Sequence, residues 1–231
     1  YKKIITIYGN TDHKKLFNLN YINIPLTKKI LSSKSERYVK EFALIEKSNP
    51  SDLIEIHNRP NYLKFLIKTL RKRTYTLYFH NDPLTMTGSK SKNDRQFLLR
   101  NCYKIIFNSN WSKKRFLEGL DKSFINSEKL LVVFQSATKQ KIDFSKKENL
   151  ITFVGKLNKS KGYDVFGGAI VKILDKYNKW KAIVIGDELR DKIEFSHKKL
   201  SKLGFLNHKK VIDIYKKTSI AVVCSRWEEP F

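Results

Sequence analysis

The residues with the most evident chemistry follow one apolar run in the second half of the chain. Leu150–Val154 is typical of a parallel strand buried on both faces. Gly155 ends the run, Lys156 follows at once, and Lys161-Gly162 closes a short segment before a helical pattern that begins near Asp164. Open α/β sheets bind anions beyond the carboxyl ends of their strands, where cations and helix N-termini meet. The spacing therefore predicts a phosphate or diphosphate site.

A solvated loop is the other interpretation of the same residues. The chain carries 47 Lys and Arg residues against 22 Asp and Glu residues, so lysines are common in its loops. The segment has neither the spacing of a Walker A loop nor the GxGxxG turn of dinucleotide-binding folds. From these residues alone, an anion site and an ordinary basic loop are equally open.

The net charge of +25 favours acidic partners such as nucleotide phosphates, nucleic acid or an anionic membrane surface. The basic residues are spread over every predicted helix and loop, which is typical of a compositional bias rather than of one binding face. No RNP-like or helix-turn-helix signature accompanies them, so we expect no nucleic-acid partner. Hydrophobic residues make up 41% of the chain, which indicates a globular protein.

The two cysteines, Cys102 and Cys224, each lie beside an apolar segment. We interpret both as reduced core residues of a cytoplasmic protein. No Cys/His cluster has the spacing of a zinc site. No apolar run reaches the ~20 residues that a membrane-spanning helix needs.

Strand-like and helix-like segments alternate along the chain, which predicts an α/β fold of doubly wound, mostly parallel sheets. Strands are predicted at Lys3–Tyr8, Tyr21–Ile24, Leu53–Ile56, Thr74–Phe79, Tyr103–Phe107, Leu130–Phe134, Ile151–Val154, Lys181–Ile185, Leu203–Leu206 and Ile220–Cys224. Helices are predicted at Ser35–Ser48, Tyr62–Leu70, Ser91–Asn101, Trp111–Leu120, Asp164–Tyr177 and His208–Lys216. A polar, lysine-rich stretch without a long apolar run separates two halves. We therefore predict a first domain over residues 1–138, a linker over 139–149 and a second domain over 150–231.

Two segments of the second half resemble glycosyltransferase family 4, a retaining family of the GT-B fold. Its members show a strand, a glycine, a basic residue, a short loop and Lys-Gly, and later a Ser-x-x-x-Glu-x-Phe segment that opens a Glu-x7-Glu motif. FVGKLNKSKG matches the first signature and CSRWEEPF matches the start of the second. The matching residues are Gly155, Lys156, Lys161 and Gly162 in the first, and Ser225, Glu229 and Phe231 in the second.

The first half resembles the same family through two strand ends, EIHNRP and YFHND. In that family a histidine after a strand faces the cleft between two Rossmann-like domains. His80 fits this position best, and His57 lies at an equivalent strand end. Asn58 and Asn81, the residues that follow the two histidines, are candidates for the acceptor side. A turn in which His80 caps Asp82 is the structural alternative.

The resemblance implies transfer of a hexosyl group from a nucleotide-sugar to an acceptor hydroxyl, with retention of anomeric configuration. Lys156 and Lys161 would stabilise the departing diphosphate. Glu229, or its neighbour Glu228, would orient the donor sugar, and His80 would line the cleft beside it. No Asp-x-Asp pair is present, which agrees with a family that needs no metal and no other cofactor.

The family resemblance also implies a setting and a complete protein. The acceptor would be a glycan or glycolipid of envelope, extracellular polysaccharide or lipopolysaccharide synthesis. The enzyme would be cytoplasmic, with weak peripheral binding to the anionic inner face of the membrane. A glycine-rich loop before Tyr1 and the second glutamate after Phe231 are missing from the pattern. We therefore expect both domains to be incomplete and the fragment to be inactive alone.

Two other functional classes stay open at this point. One is a basic module that binds nucleic acid or anionic surfaces without selectivity for a nucleotide-sugar. The other is a sugar-phosphate enzyme of a different activity on the same fold.

Overall fold

The computed structural model describes residues 5–10, 20–26 and 32–226. Every strand pair in these ranges is parallel. Strands and helices alternate as the sequence pattern predicts, so the predicted α/β class is confirmed. The chain divides into two compact units after Ser136, and each has its own sheet.

The first unit contains six strands and four helices among its described residues. They are β1 (Thr6–Gly9), β2 (Asn20–Asn23), α1 (Lys34–Ser48), β3 (Ile54–His57), α2 (Tyr62–Thr69), β4 (Tyr75–Phe79), α3 (Lys92–Asn101), β5 (Lys104–Phe107), α4 (Asn110–Leu117) and β6 (Leu130–Val132). The main sheet has the order β3-β4-β5-β6, and β1 pairs with β2 in a separate sheet of two strands. Because the four main strands are parallel, their carboxyl ends lie at one edge of the sheet.

The core of the first unit lies between this sheet and its helices. Leu77 of β4 and Ile105 of β5 are fully buried, and Leu63 of α2 packs in the same cluster. Successive residues of β4 and β5 are buried on both faces of the sheet, which is why these two strands lack a strict alternation of apolar and polar residues. Ser91 and Ser109 accept hydrogen bonds from the first turns of α3 and α4 and so cap these helices.

The second unit contains four strands and two helices among its described residues. They are β7 (Glu148–Val154), α5 (Tyr163–Lys176), β8 (Lys181–Ile185), β9 (Leu200–Lys202), α6 (His208–Lys217) and β10 (Thr218–Val222). The sheet order is β10-β7-β8-β9, so β7 has a hydrogen-bonded neighbour on each side. Phe153 of β7 packs on Phe166 of α5 with ring centroids 5.2 Å apart. The apolar run Leu150–Val154 is therefore part of a central strand.

Two predictions made from the sequence for the second unit are wrong. The ninth strand ends at Lys202, whereas the sequence predicted a strand over Leu203–Leu206. Gly204 has φ +66°, a left-handed conformation that ends an extended segment. Cys224 is only half-buried beyond the end of β10, whereas Cys102 is buried as predicted.

No helix in the described ranges combines the length and the apolar character that crossing a membrane requires.

Candidate functional site

The residues that the sequence marked in the second unit form the connection between β7 and α5, here named the β7–α5 loop (residues 155–162). It begins where two strand ends meet. The Gly155 N–H donates to the carbonyl of Ile185 at 3.0 Å. A Cβ on Gly186 would lie 1.9 Å from the Gly155 carbonyl oxygen, so only glycine fits this crossing. The loop therefore leaves the sheet at the carboxyl ends of β7 and β8, as an anion site requires.

A short 3-10 turn, Lys159–Lys161, forms the middle of the loop. Asn158 holds it, because its Oδ1 accepts the Lys161 N–H at 3.1 Å and the Ser160 hydroxyl at 2.8 Å. This capping role of Asn158 was not predicted from the sequence. An Asn three residues before a backbone amide that it caps is the signal that could have revealed it.

Gly162 joins the 3-10 turn to α5 in the left-handed conformation, with φ +69° and ψ +24°. A Cβ there would lie 1.9 Å from the carbonyl oxygen of Cys224, at the end of β10. The Cys224 thiol donates to the Gly162 carbonyl at 3.0 Å. The glycine of the predicted Lys-Gly signature is thus the point where the chain after β10 packs against the loop.

The segment after β10 makes further contacts with this loop and with the start of α5. The Ser225 hydroxyl donates to the Ser160 carbonyl at 3.2 Å, and the Arg226 N–H donates to the same oxygen at 2.9 Å. The Arg226 guanidinium pairs with Asp164 at 2.9 Å. The structure therefore brings the start of the second predicted signature onto the first. Glu229 and Phe231, which the sequence placed in this signature, lie outside the described residues.

The two predicted cations differ in their surroundings. Lys156 is exposed, whereas Lys161 is half-buried on the 3-10 turn. The first turn of α5 also carries a carboxylate, Asp164. Burial raises the pKa of the Asp164 carboxyl, but the hydrogen bond and charge of Arg226, together with the backbone N–H groups of Asp164 and Val165, hold that pKa below its ordinary value. Arg226 is a further basic group at the loop, beside its three lysines, and it was not predicted from the sequence.

In the first unit, the structure brings the two predicted histidines together at the carboxyl ends of β3 and β4. The Nδ1 atom of His57 lies 3.0 Å from the Nε2 atom of His80. Their rings are nearly parallel, and His57 also stacks on Tyr78 with centroids 4.5 Å apart. These two residues are called the histidine pair below.

The backbone of His80 is held from both sides by asparagine side chains. Asn58 Oδ1 accepts the His80 N–H at 3.2 Å, and Asn108 Nδ2 donates to the His80 carbonyl at 3.2 Å. Asn58 has φ +56°, a conformation that asparagine tolerates better than most residues. Asn58, predicted on the acceptor side, therefore has a structural contact with His80. Asn108 was missed because it follows β5, 28 residues further along the chain.

The imidazole of His80 has a second partner. Its Nδ1 atom lies 3.2 Å from the Nε2 atom of Gln135. Burial, and secondly the charge of His57, lower the pKa of His80 below its ordinary value. Both effects favour the uncharged ring at neutral pH.

The two residues that follow His80 after β4, Asn81 and Asp82, differ in their exposure to solvent. Asn81 is exposed. Asp82 is buried, accepts the Leu84 N–H at 2.9 Å and pairs with Arg115 at 2.9 Å. Asp82 thus caps the short turn that follows β4, whereas the ring of His80 contacts His57 and Gln135.

Within the described ranges, no group of three or more His, Cys, Asp or Glu side chains is arranged to hold a metal ion.

The part of the chain from residue 134 to 231 matches the family model of glycosyl transferases group 1. This match contains the whole β7–α5 loop. No curated protein matches the sequence.

Several solved structures share the fold at low sequence identity. HepE of Anabaena, in complex with UDP and glucose, superposes with a TM-score of 0.68 at 15% identity over 92% of this chain and 63% of its own. TarM superposes at 0.62, with 12% identity over 84% of this chain and 41% of its own. The lipopolysaccharide outer core galactosyltransferase WaaB, in its apo form, superposes at 0.55, with 14% identity over 91% of this chain and 60% of its own. These likenesses confirm the predicted Rossmann-like, GT-B type of fold. The chain spans less than two thirds of the length of these proteins.

Proposed function

We propose that the protein belongs to a retaining glycosyltransferase of family 4, which transfers a hexosyl group from a nucleotide-sugar to an acceptor hydroxyl. The observation that carries the proposal is the match of residues 134–231 to group 1 glycosyl transferases, because this region contains the β7–α5 loop with both predicted lysines. The complex of HepE with UDP and glucose supports a nucleotide-sugar as the donor.

The proposed reaction assigns the loop an electrostatic role. The bond between the anomeric carbon and the diphosphate oxygen breaks, the acceptor oxygen bonds to that carbon, and the acceptor proton passes to the departing diphosphate. Negative charge therefore grows on the diphosphate as the bond breaks. Lys156 and Lys161 stabilise that charge from a loop whose backbone Asn158 and Gly162 already hold in place. A preorganised cation stabilises the transition state without a further cost of ordering the loop.

We further propose that these ammonium groups take the place of a divalent cation, so that neither metal nor cofactor takes part. Glu229 and Phe231 contact the donor sugar in this proposal, and His80 contributes from the acceptor side. The acceptor is a glycan or glycolipid of envelope or extracellular polysaccharide synthesis. The net charge of +25 supports weak binding to the anionic inner face of the membrane by a cytoplasmic enzyme.

The decisive experiment is calorimetric titration of the 231-residue chain with UDP and GDP, in parallel with Lys161→Ala, Lys156→Ala and the matched control Lys159→Ala. Lys159 lies on the same 3-10 turn, is exposed and carries the same charge. We expect one nucleotide to bind and each of the first two variants to weaken it about tenfold or more, because a hydrogen bond to a charged group contributes ~1.5–3 kcal/mol. The Lys159→Ala change should alter the affinity less than about threefold, a screened surface effect.

Equal losses in all three variants would show that diffuse charge binds the nucleotide, and the proposal would fail. Binding of single-stranded RNA that is tighter than binding of either nucleotide, with a steep dependence on salt, would favour the nucleic-acid module instead.

A further inference from the structure

The histidine pair is part of a longer chain of hydrogen bonds. Gln135 Nε2 lies 3.2 Å from His80 Nδ1, and His80 Nε2 lies 3.0 Å from His57 Nδ1. His57 Nε2 in turn lies 3.5 Å from Glu55 Oε2. Both nitrogen atoms of His80 therefore have a partner within the first unit.

The chemistry of the end groups fixes the direction of donation in this chain. The nitrogen of a carboxamide can only donate, so Nδ1 of His80 must be the bare, accepting nitrogen. A neutral imidazole then carries its proton on Nε2, which faces His57 Nδ1. His57 accepts there and carries its own proton on Nε2, on the side of the Glu55 carboxylate. Each donor faces an acceptor only in this one arrangement.

With the Gln135 amide nitrogen turned toward His80, as in the structure, an added proton breaks this arrangement. A proton on His80 Nδ1 would face the Gln135 amide group, donor against donor. A proton on His57 Nδ1 would face the Nε2–H of His80 in the same way. The uncharged state of His80 is therefore favoured by the positions of Gln135 and His57.

We propose that Gln135 is a positioning residue that holds His80 as the neutral Nε2–H tautomer, with His57 as a replaceable acceptor of that proton. A sugar hydroxyl of the ligand would take the Nε2–H of His80 in place of His57, so the number of hydrogen bonds stays constant on binding. The identity of this ligand rests on the proposed function, whereas the tautomer does not.

The charged groups around the pair agree with this role. Glu55 of β3 lies at the end of this chain of polar contacts and accepts the Tyr78 hydroxyl of β4 at 3.4 Å. The Arg59 guanidinium donates to the Asn58 carbonyl at 3.2 Å, beyond the end of β3. Asp82, on the loop that follows His80, is paired with Arg115. Burial of His80 adds to the preference for the neutral ring by lowering its pKa.

The test is long-range ¹H–¹⁵N correlation spectroscopy of the full chain labelled on its five histidines, recorded without any ligand. The signals are assigned with His57→Gln and His80→Asn. At about pH 7.5 we expect a bare Nδ1 and a protonated Nε2 on His80. The Gln135→Leu change should allow a mixture of tautomers, and Gln135→Glu should raise the midpoint of the His80 titration by about one pH unit or more, because a carboxylate favours the charged ring.

The matched control is Gln140→Glu, since Gln140 donates only locally, to the Thr138 carbonyl at 3.1 Å. It should leave the tautomer and the titration of His80 unchanged. His57→Gln keeps an acceptor for the Nε2–H of His80 and should preserve the tautomer, which separates a loss of positioning from a loss of folding. The proposal is overturned if His80 carries its proton on Nδ1, or if Gln135→Glu titrates as the original protein does.

The ligand part of the proposal has its own readout. Addition of the nucleotide-sugar that the titration identifies should shift the His80 Nε2 signal and release His57. A fixed tautomer without any such shift would overturn the role of the sugar hydroxyl. Failure of the chain to bind any nucleotide would refute the proposed function and leave the tautomer measurement valid.

Discussion

Replacing Gly162 by alanine tests whether the β7–α5 loop is held by the chain that follows β10. The residue has φ +69°, and a Cβ would lie 1.9 Å from the Cys224 carbonyl oxygen. That oxygen belongs to the backbone, so it cannot rotate away as a flexible side chain would. The chain after β10 must therefore move, and the Arg226 N–H contact with Ser160 would lengthen.

The expected loss in the free energy of opening of the second unit has two parts, which can be measured separately. A left-handed conformation costs an alanine about 1–2 kcal/mol relative to glycine. Overpacking against a fixed neighbour costs about 1–3 kcal/mol more. The free energy of opening of the second unit should therefore fall by about 2–5 kcal/mol in Gly162→Ala.

Gly204 provides a matched control for the first part. Its φ is +66°, nearly the same as that of Gly162, but among the described residues no heavy atom beyond its own chain neighbours lies within 4 Å of the position that a Cβ would take there. Gly204→Ala should therefore show the conformational cost alone, about 1–2 kcal/mol. The difference between the two variants measures the steric conflict with Cys224.

The assay is native-state hydrogen exchange of peptides from β7, α5 and β8, which reports the opening of the second unit apart from the first. UDP binding provides the functional readout, since the displaced loop carries both lysines of the proposed site. Equal destabilisation by Gly162→Ala and Gly204→Ala would refute the steric argument. It would mean that the chain after β10 does not pack against Gly162.

Two further predictions concern the first unit. Because burial lowers the pKa of His80 from 6.5, the folded state binds fewer protons than the unfolded state just below that pH. The contribution of His80 to stability is therefore complete above pH 6.5 and is lost as the pH falls through the lowered pKa. Urea unfolding at several pH values measures this loss. The free energy of unfolding should depend less on pH in the His80→Asn variant. Arg115→Met leaves the buried carboxylate of Asp82 without its ion-pair partner and should destabilise the first unit by about 2 kcal/mol. The exposed Lys114→Met serves as the control, and equal urea midpoints for the two variants would contradict this reasoning.

The local pattern of the chain was enough to predict most strands and helices. Apolar runs such as Leu150–Val154 became buried parallel strands, because a strand covered on both faces must be apolar at every position. Helix starts such as that at Ser91 were predictable for the same kind of reason, since a cap and the amides it bonds are neighbours in sequence. The strand predicted over Leu203–Leu206 was wrong because the conformation of Gly204 depends on a turn that an apolar pattern does not report.

The candidate site was only half predictable. Gly155, Lys156, Lys161 and Gly162 were recognisable as a loop after a strand, and the resemblance to a known family added His57 and His80. The partners of those residues were not recognisable. Gln135 lies 55 residues from His80 along the chain, and Arg226 lies 62 residues from Asp164.

The amino-acid sequence by itself determined the alternation of strands and helices and the basic loop after β7, since these depend on residues a few positions apart. Only the tertiary structure decided which groups hold the loop and which side chains face the two ring nitrogens of His80. The physical reason is that a hydrogen bond between distant segments depends on where the sheet places its strand ends. Composition and periodicity carry no information about that distance.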